Sequence, residues 1–248
     1  MSATVARMRL DQLLVTKELV ESRVRAQALI MAGQVKVDDQ VVTKASAMIN
    51  ICSLLAVKNE IFPYVSRGGQ KLKKALDFFR IEVKGKTCID IGASTGGFTD
   101  CLLKHGAKLV YAVDVGKGQL DCKLRNDPRV VNIEKTNIRY LEKDSLPETP
   151  DLATIDVSFI SLEKVLPRAY DLIKITGEII ALIKPQFEAG PQNVGKGGVV
   201  RDDEVHKEVI DRITLFSEIQ AMEVRGVIES PLKGPAGNKE FLIYLVKS

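Results

Sequence analysis

The spacing of apolar positions changes character along the chain. Leu10, Leu13 and Leu14 mark a short amphipathic helix, and Ser22 then opens a second, RVRAQALIMA, which stops at Gly33, where a left-handed cap is easiest. Next comes QVKVDDQVV, two alternating runs around Asp38 and Asp39 that read as a β-hairpin. The stretch SRGGQKLKKALDFFRIEVKGK predicts a helix from about Gln70 to Phe79. After it, strand-like and helical runs alternate: TCIDIG, LVYAVD, RVVNIE, LATIDV, EIIALIK, EVRGVIE and FLIYLV read as seven strands, with FTDCLLKH, QLDCKLRN, LEKVLPRAYDLI and DEVHKEVIDRITLFSEI as helices among them. This alternation predicts a doubly wound, mainly parallel α/β sheet. The last two strands have no long helix between them, so a hairpin with one antiparallel strand should end the sheet. The expected organisation is a small α+β domain over 1–65, a connector over 66–86 and an α/β domain over 87–248.

Charge divides the chain at the same places. The net +4 splits into +2 over residues 1–66, +5 over 67–86 and −3 over 87–248. A basic N-terminal third joined to a slightly acidic remainder suggests a part that grips a polyanion attached to a part with other work; a solvated helix face is the plainer reading of the basic segment. With 45% hydrophobic and 5% aromatic residues the composition is that of a globular protein, which excludes a disordered chain or a fibre. No run approaches the roughly 18 to 20 apolar residues of a membrane-spanning helix, and the N-terminal residues lack the pattern of a signal peptide, so a cytoplasmic location without membrane contact is expected. Cys52, Cys88, Cys101 and Cys122 form no CxxC pair and accompany only two histidines. Reduced, buried cysteines are expected, with neither a metal site nor a disulfide.

Two groups of residues carry chemistry. In TCIDIGASTGGFTD the strand ends at Gly92 and a helix begins near Gly97 or Phe98, so a ligand can approach backbone N–H groups at the helix start without side-chain obstruction. The spacing is GxxxGG, with Ser94 where a dinucleotide fingerprint needs glycine, which weakens a nicotinamide-cofactor reading. Asp114 ends the next strand, 22 residues after Gly92, where a carboxylate can accept from both ribose hydroxyls of an adenosine cofactor. The second group is Lys71 in RGGQKL, Asp156 in ATIDVSF, Lys184 in ALIKPQF and Glu240 in GNKEFL. Asp156 and Lys184 end neighbouring strands and should emerge together at the carboxyl edge, where open α/β sheets bind ligands. A lysine closing an apolar strand needs a charged partner.

These motifs resemble known families. MRLDQLLV followed by SRVRAQALIMAGQVKVDDQVV resembles the S-four type RNA-binding module found in a ribosomal protein, pseudouridine synthases and a tRNA synthetase, and its basic residues Arg7, Arg9, Arg23, Arg25 and Lys36, with Arg67 on the connector, are the RNA-binding candidates. DIGASTGGFTD looks like the cofactor loop of FtsJ-type methyltransferases. That resemblance implies a Rossmann-like seven-stranded sheet with Asp90, Gly92, Ser94, Gly96, Gly97 and Phe98 around the methionine moiety of S-adenosylmethionine and Asp114 on its ribose. Lys71, Asp156, Lys184 and Glu240 resemble the Lys-Asp-Lys-Glu tetrad of the ribose 2′-O-methyltransferases in that group. Lys184 is then the base for a ribose hydroxyl, or the ammonium facing a developing alkoxide, with Asp156 holding its amine and Lys71 and Glu240 completing the charge network. From end to end the chain resembles the TlyA family, ribosomal RNA 2′-O-methyltransferases often labelled hemolysins. The resemblance implies methylation of a cytidine ribose in ribosomal RNA within ribosomal subunits, without a metal. A non-catalytic RNA-binding assembly factor is the alternative, favoured if tetrad residues were missing. A membrane-acting hemolysin would need an amphipathic apolar surface or a secretion signal. The loop EAGPQNVGKGGVV is either a mobile flap or a plain solvent loop.

Overall fold

The computed structural model describes residues 6–20, 22–58, 63–234 and 236–247. The N-terminal domain comprises β1 (Arg7–Arg9), α1 (Leu10–Thr16), α2 (Arg23–Met31), β2 (Val35–Val37), β3 (Gln40–Val41), β4 (Met48–Asn50) and β5 (Leu55–Val57). β1 pairs with β4, and β2 lies between β3 and β5, all antiparallel. Ser22 caps α2 by accepting from the Arg25 N–H. Asp38 and Asp39 both have positive φ, +47° and +64°, as the two-residue hairpin turn with right-handed strand twist requires. Leu10, Leu14, Leu29, Ile30, Val35 and Val57 fill the core. Strands β1, β4 and β5 were not foreseen, because three residues are too few to display an alternation.

The remainder follows the expected order: α3 (Gly68–Phe79), β6 (Thr87–Ile91), α4 (Gly97–Lys104), β7 (Leu109–Val113), α5 (Cys122–Arg125), β8 (Val130–Ile133), β9 (Leu152–Ile155), α6 (Leu166–Leu172), β10 (Glu178–Ile183), α7 (Pro185–Glu188), α8 (Asp203–Ile219), β11 (Met222–Glu229) and β12 (Phe241–Lys247). The seven strands lie in the order β11-β12-β10-β9-β6-β7-β8. β12 runs antiparallel to both β10 and β11, so the closing hairpin inserts its second strand beside β10 and leaves its first at the edge. The chain moves outward from β6 to β8 and then restarts at β9 on the other side of β6. That reversal opens a crevice between the carboxyl ends of β6 and β9, where such sheets hold ligands. The helix of the basic stretch, α3, is part of the sheet's cover: Leu72, Ala75 and Leu76 are buried in one cluster with Leu102, Ile180 and Leu182.

The cysteines correct the sequence-based expectation. Cys52, on the turn after β4, and Cys122, the first residue of α5, form a disulfide that joins the two domains; only Cys88 and Cys101 are free and buried. A separation of 70 positions across two domains gives no spacing signal, which is why the pair could not be read from the sequence. The same contact contains the ion pair of Lys17 with Asp121 at 2.6 Å and the hydrogen bond from the Thr95 hydroxyl to the Thr16 carbonyl at 3.0 Å. Among the described residues no helix is long and apolar enough to cross a membrane, and no three His, Cys, Asp or Glu side chains gather as metal ligands would.

Candidate active site

Two adjoining clefts open at the carboxyl edge, on either side of the loop that follows β6. Gly92 turns the chain there with φ +84°, and a Cβ on it would meet the Asp156 carbonyl oxygen at 2.5 Å. Only glycine lets the ends of β6 and β9 approach so closely. Ser94 follows in a left-handed conformation, and its N–H donates to Asp114 Oδ2 at 2.8 Å; the other Asp114 oxygen accepts from the Gly116 N–H at 2.7 Å. The predicted carboxylate therefore fixes the glycine loop to the end of β7, with its oxygens at the wall of one cleft. Gly96 caps α4, and Gly97 lies where a Cβ would strike Ser66 Oγ at 2.4 Å and the Gly69 nitrogen at 2.9 Å. The N-terminal ends of α3 and α4 thus abut beneath the second cleft, whose walls include Ser94, Gly97 and Phe98.

Asp90 is placed differently from its neighbours in the motif. It lies fully buried under the loop, accepting from the hydroxyls of Thr99 at 2.6 Å and Thr154 at 3.0 Å, and lines neither cleft. Burial pushes its carboxyl up to about 7 against the opposing hydrogen bonds of Thr99 and Thr154.

The four ionisable residues converge in the second cleft. Lys71, from the first turns of α3, lies 2.7 Å from Glu240, which immediately precedes β12. Lys184, immediately after β10, lies 2.5 Å from Asp156 Oδ1 and donates to Ser158 Oγ at 2.9 Å. Its ammonium also stands 6.0 Å from the centre of the Phe187 ring. Burial penalises the ammonium of Lys71, but the charges of Asp156 and Glu240 outweigh it and hold its pKa above the ordinary lysine value. Burial would likewise raise Asp156, yet Lys184 and Lys71 keep it below the usual carboxylate range. The network therefore sets two lysines against two carboxylates at the mouth of a parallel sheet.

The basic residues separate into two groups. Arg7, Arg23, Arg25 and Lys36 are exposed on the small domain and Arg9 is half-buried there, whereas Arg67 caps α3 inside the second cleft, with its Nε buried and lacking a hydrogen-bond partner. Sequence reasoning missed the contribution of the small domain to that cleft, since Val15, Glu18 and Val20 form part of its wall. It also missed Phe159, 90% exposed at φ +63° and 4.9 Å from the Phe187 ring. Its sequence context, IDVSFISL, was visible, but the left-handed backbone that turns the ring outward was not.

Residues 64–247 match the model of the FtsJ-like methyltransferase family, and residues 8–52 match the S4 domain. The chain belongs to the FtsJ-like methyltransferase family. It is 43% identical over 240 residues, 96% of its own length and 90% of the relative's, to a protein of Mycobacterium tuberculosis named 16S/23S rRNA (cytidine-2′-O)-methyltransferase TlyA. It is 45% identical over 241 residues, 96% of the chain and 100% of the relative, to Hemolysin A of Brachyspira hyodysenteriae. A solved structure from Streptococcus thermophilus that carries the hemolysin label superposes with a TM-score of 0.85 at 44% identity, covering 99% of this chain and 90% of that one. The FtsJ-like match begins at residue 64 and so takes in α3 with Lys71, in keeping with the burial of that helix against the sheet.

Proposed function

We propose that the protein transfers the methyl group of S-adenosylmethionine to the 2′-hydroxyl of a cytidine ribose in ribosomal RNA, acting on ribosomal subunits in the cytoplasm. The observation that carries this reading is the convergence of Lys71, Asp156, Lys184 and Glu240 beside the glycine loop. The relatives named above support the substrate: one of them is named for cytidine 2′-O-methylation of ribosomal RNA.

The cofactor fits the site on the chain's own geometry. Gly92, Ser94, Gly97 and Phe98 line the cleft that holds the tetrad, and Asp114 presents a carboxylate to the adjoining cleft. Ser94, Gly96, Gly97 and Phe98 hold the methionine end, and Asp114 accepts from the ribose hydroxyls. Asp90 acts from beneath, tying β6 to α4 and β9 through Thr99 and Thr154. When bound, the cofactor supplies an electrophilic methyl group on a sulfonium.

A ribose hydroxyl is a poor nucleophile, so the protein has to manage its proton. Lys184 accepts that proton or holds the developing negative charge on O2′. Asp156 supplies the counter-charge that keeps the Lys184 amine at the sheet edge, and Lys71 with Glu240 sets the local field. In-line placement of the hydroxyl contributes the rest of the acceleration. The exposed ring of Phe159, backed by the half-buried Phe187, offers a stacking face for an unpaired base beside the cleft, and Arg67 waits on an anionic group there. The small domain supplies RNA affinity through Arg7, Arg9, Arg23, Arg25 and Lys36.

The test is methyl transfer from labelled S-adenosylmethionine to separated ribosomal subunits, followed by nucleoside analysis. The expected product is 2′-O-methylcytidine. Label on a base, or none in RNA, would overturn the reading.

A further inference from the structure

A lysine amino group is a three-fold rotor at the end of a flexible stem, so a charge partner alone does not decide which way its N–H groups, or the lone pair of its neutral form, point. At Lys184 the two functions are divided between two residues. Asp156 Oδ1 lies 2.5 Å from Nζ and supplies its counter-charge. Nζ also donates to a neutral oxygen, Ser158 Oγ, at 2.9 Å, so a second acceptor fixes its rotation. Ser158 follows Asp156 by two positions on the segment leaving β9, and it lines both the cleft that holds the tetrad and the cleft beside Asp114.

We propose that Ser158 is the positioning residue of the proposed methyl transfer: its hydroxyl oxygen fixes the rotor of Lys184. One N–H of Lys184 is held by Ser158 and a second faces the Asp156 carboxylate. The remaining tetrahedral position of Nζ is then directed into the cleft, as a lone pair when Lys184 takes the proton of the 2′-hydroxyl and as an N–H when it faces the alkoxide. Asp156 contributes charge and Ser158 contributes direction. Lys71 and Glu240, which form their own hydrogen bond in the same cleft, complete the titratable groups lining it with Glu18 and the cations Arg67 and Lys233. Ser158 touches neither reacting atom in this scheme and acts through Lys184. The assignment rests on the methyltransferase reading above.

The experiment compares wild type, Ser158→Ala, Ser158→Thr and Lys184→Ala in methyl transfer to a ribosomal subunit, with kcat and both KM values followed across pH. A misdirected catalytic group loses about 10²-fold in rate. Ser158→Ala should therefore lower kcat by about that factor, leave KM for cofactor and RNA unchanged, and move the pH–rate limb that Lys184→Ala abolishes. Ser158→Thr keeps the hydroxyl and should restore both rate and profile. Melting temperatures measured alongside show whether each variant is folded, and the Thr variant separates loss of the hydroxyl from loss of packing. Loss of activity in Lys184→Ala with an unaltered kcat and pH profile in Ser158→Ala would overturn this inference alone. A raised cofactor KM at constant kcat in Ser158→Ala would do the same, making the serine a cofactor ligand. Near-normal transfer by Lys184→Ala would overturn the tetrad reading and this assignment with it.

Discussion

Lys17 of the RNA-binding domain lies 2.6 Å from Asp121, the residue that caps α5 in the methyltransferase domain. Both side chains are largely covered, and the Cys52–Cys122 disulfide forms at the next residue along the chain. Leu124, one turn into the same short helix, packs where a Cβ on Gly96 would collide at 2.2 Å. The domain contact and the glycine loop are thus two sides of one short helix. A change at the interface has a short mechanical route to the loop proposed to hold the cofactor.

The first prediction concerns that bridge. Closing a loop of 70 residues restricts the unfolded chain by about 4 kcal/mol in the chain-entropy account. Dithiothreitol should lower the urea midpoint of the wild type towards that of Cys52→Ser, while leaving the variant unmoved. Thiol counting on the oxidised, denatured protein should find Cys88 and Cys101 alone. Four titratable thiols would sink the assignment.

The second follows from Asp90. Its folded-state pKa is pushed up to about 7, whereas an unfolded aspartate titrates near about 4. The folded protein therefore keeps a proton that the unfolded chain releases. Stability from this group is present below about pH 4 and is lost as pH rises through about 7. Asp90→Asn, which keeps an acceptor for Thr99 or Thr154 and carries no charge, should gain on the wild type progressively between those values. Denaturation midpoints of both proteins from pH 4 to 8 provide the check, and parallel curves would show that Asp90 is ionised in the fold.

Much of this was legible from periodicity and spacing. The seven strands are long, apolar and separated by turns, so their order along the chain could be read directly. Gly92 and Asp114 stand at strand ends, where chemistry concentrates in such sheets. What escaped depends on distance in space. Cys52 has no sequence neighbour that betrays Cys122, the insertion of β12 beside β10 is a choice of pairing that periodicity leaves open, and the tilt of Phe159 follows from one backbone angle. The contact of Lys184 with Ser158 depends on the direction of a single side-chain hydrogen bond.

The arginines proposed to bind RNA are not equivalent, which gives a third prediction. Asp11 is fully buried and accepts from Arg9 at 3.0 and 2.9 Å, from Arg23 at 3.0 Å and from Gln27 at 2.9 Å. Arg9 above all, with Gln27 and Arg23, holds its carboxyl well below the usual range against the effect of burial. Arg7 and Arg25 are exposed and, among the described residues, make no ion pair. Each phosphate neutralised contributes slightly less than one to the slope of log affinity against log salt. Arg7→Ala and Arg25→Ala should each flatten that slope by about one. Arg9→Ala and Arg23→Ala should flatten it less and lower the melting temperature more, since they strip partners from a buried carboxylate. Equal slopes across all four variants would contradict this sorting.

The last prediction returns to Asp114, whose two oxygens already accept from Ser94 and Gly116 N–H groups. Each carboxylate oxygen has a further lone pair, so anchoring the loop and binding the cofactor ribose are compatible tasks. Two effects should then separate by substitution. Asp114→Asn keeps one oxygen for a loop amide but turns a donor toward the other, and it loses the charge that strengthens a ribose hydrogen bond. Asp114→Ala removes both anchors as well. Calorimetry should show S-adenosylmethionine affinity falling by about 1.5 to 3 kcal/mol in Asp114→Asn, the range for hydrogen bonds to a charged group, and further in Asp114→Ala. RNA affinity should stay within experimental error in both, because the arginines of the small domain do not touch this strand end. Equal cofactor affinity in wild type and Asp114→Ala would mean that the ribose is held elsewhere and that Asp114 serves the loop alone.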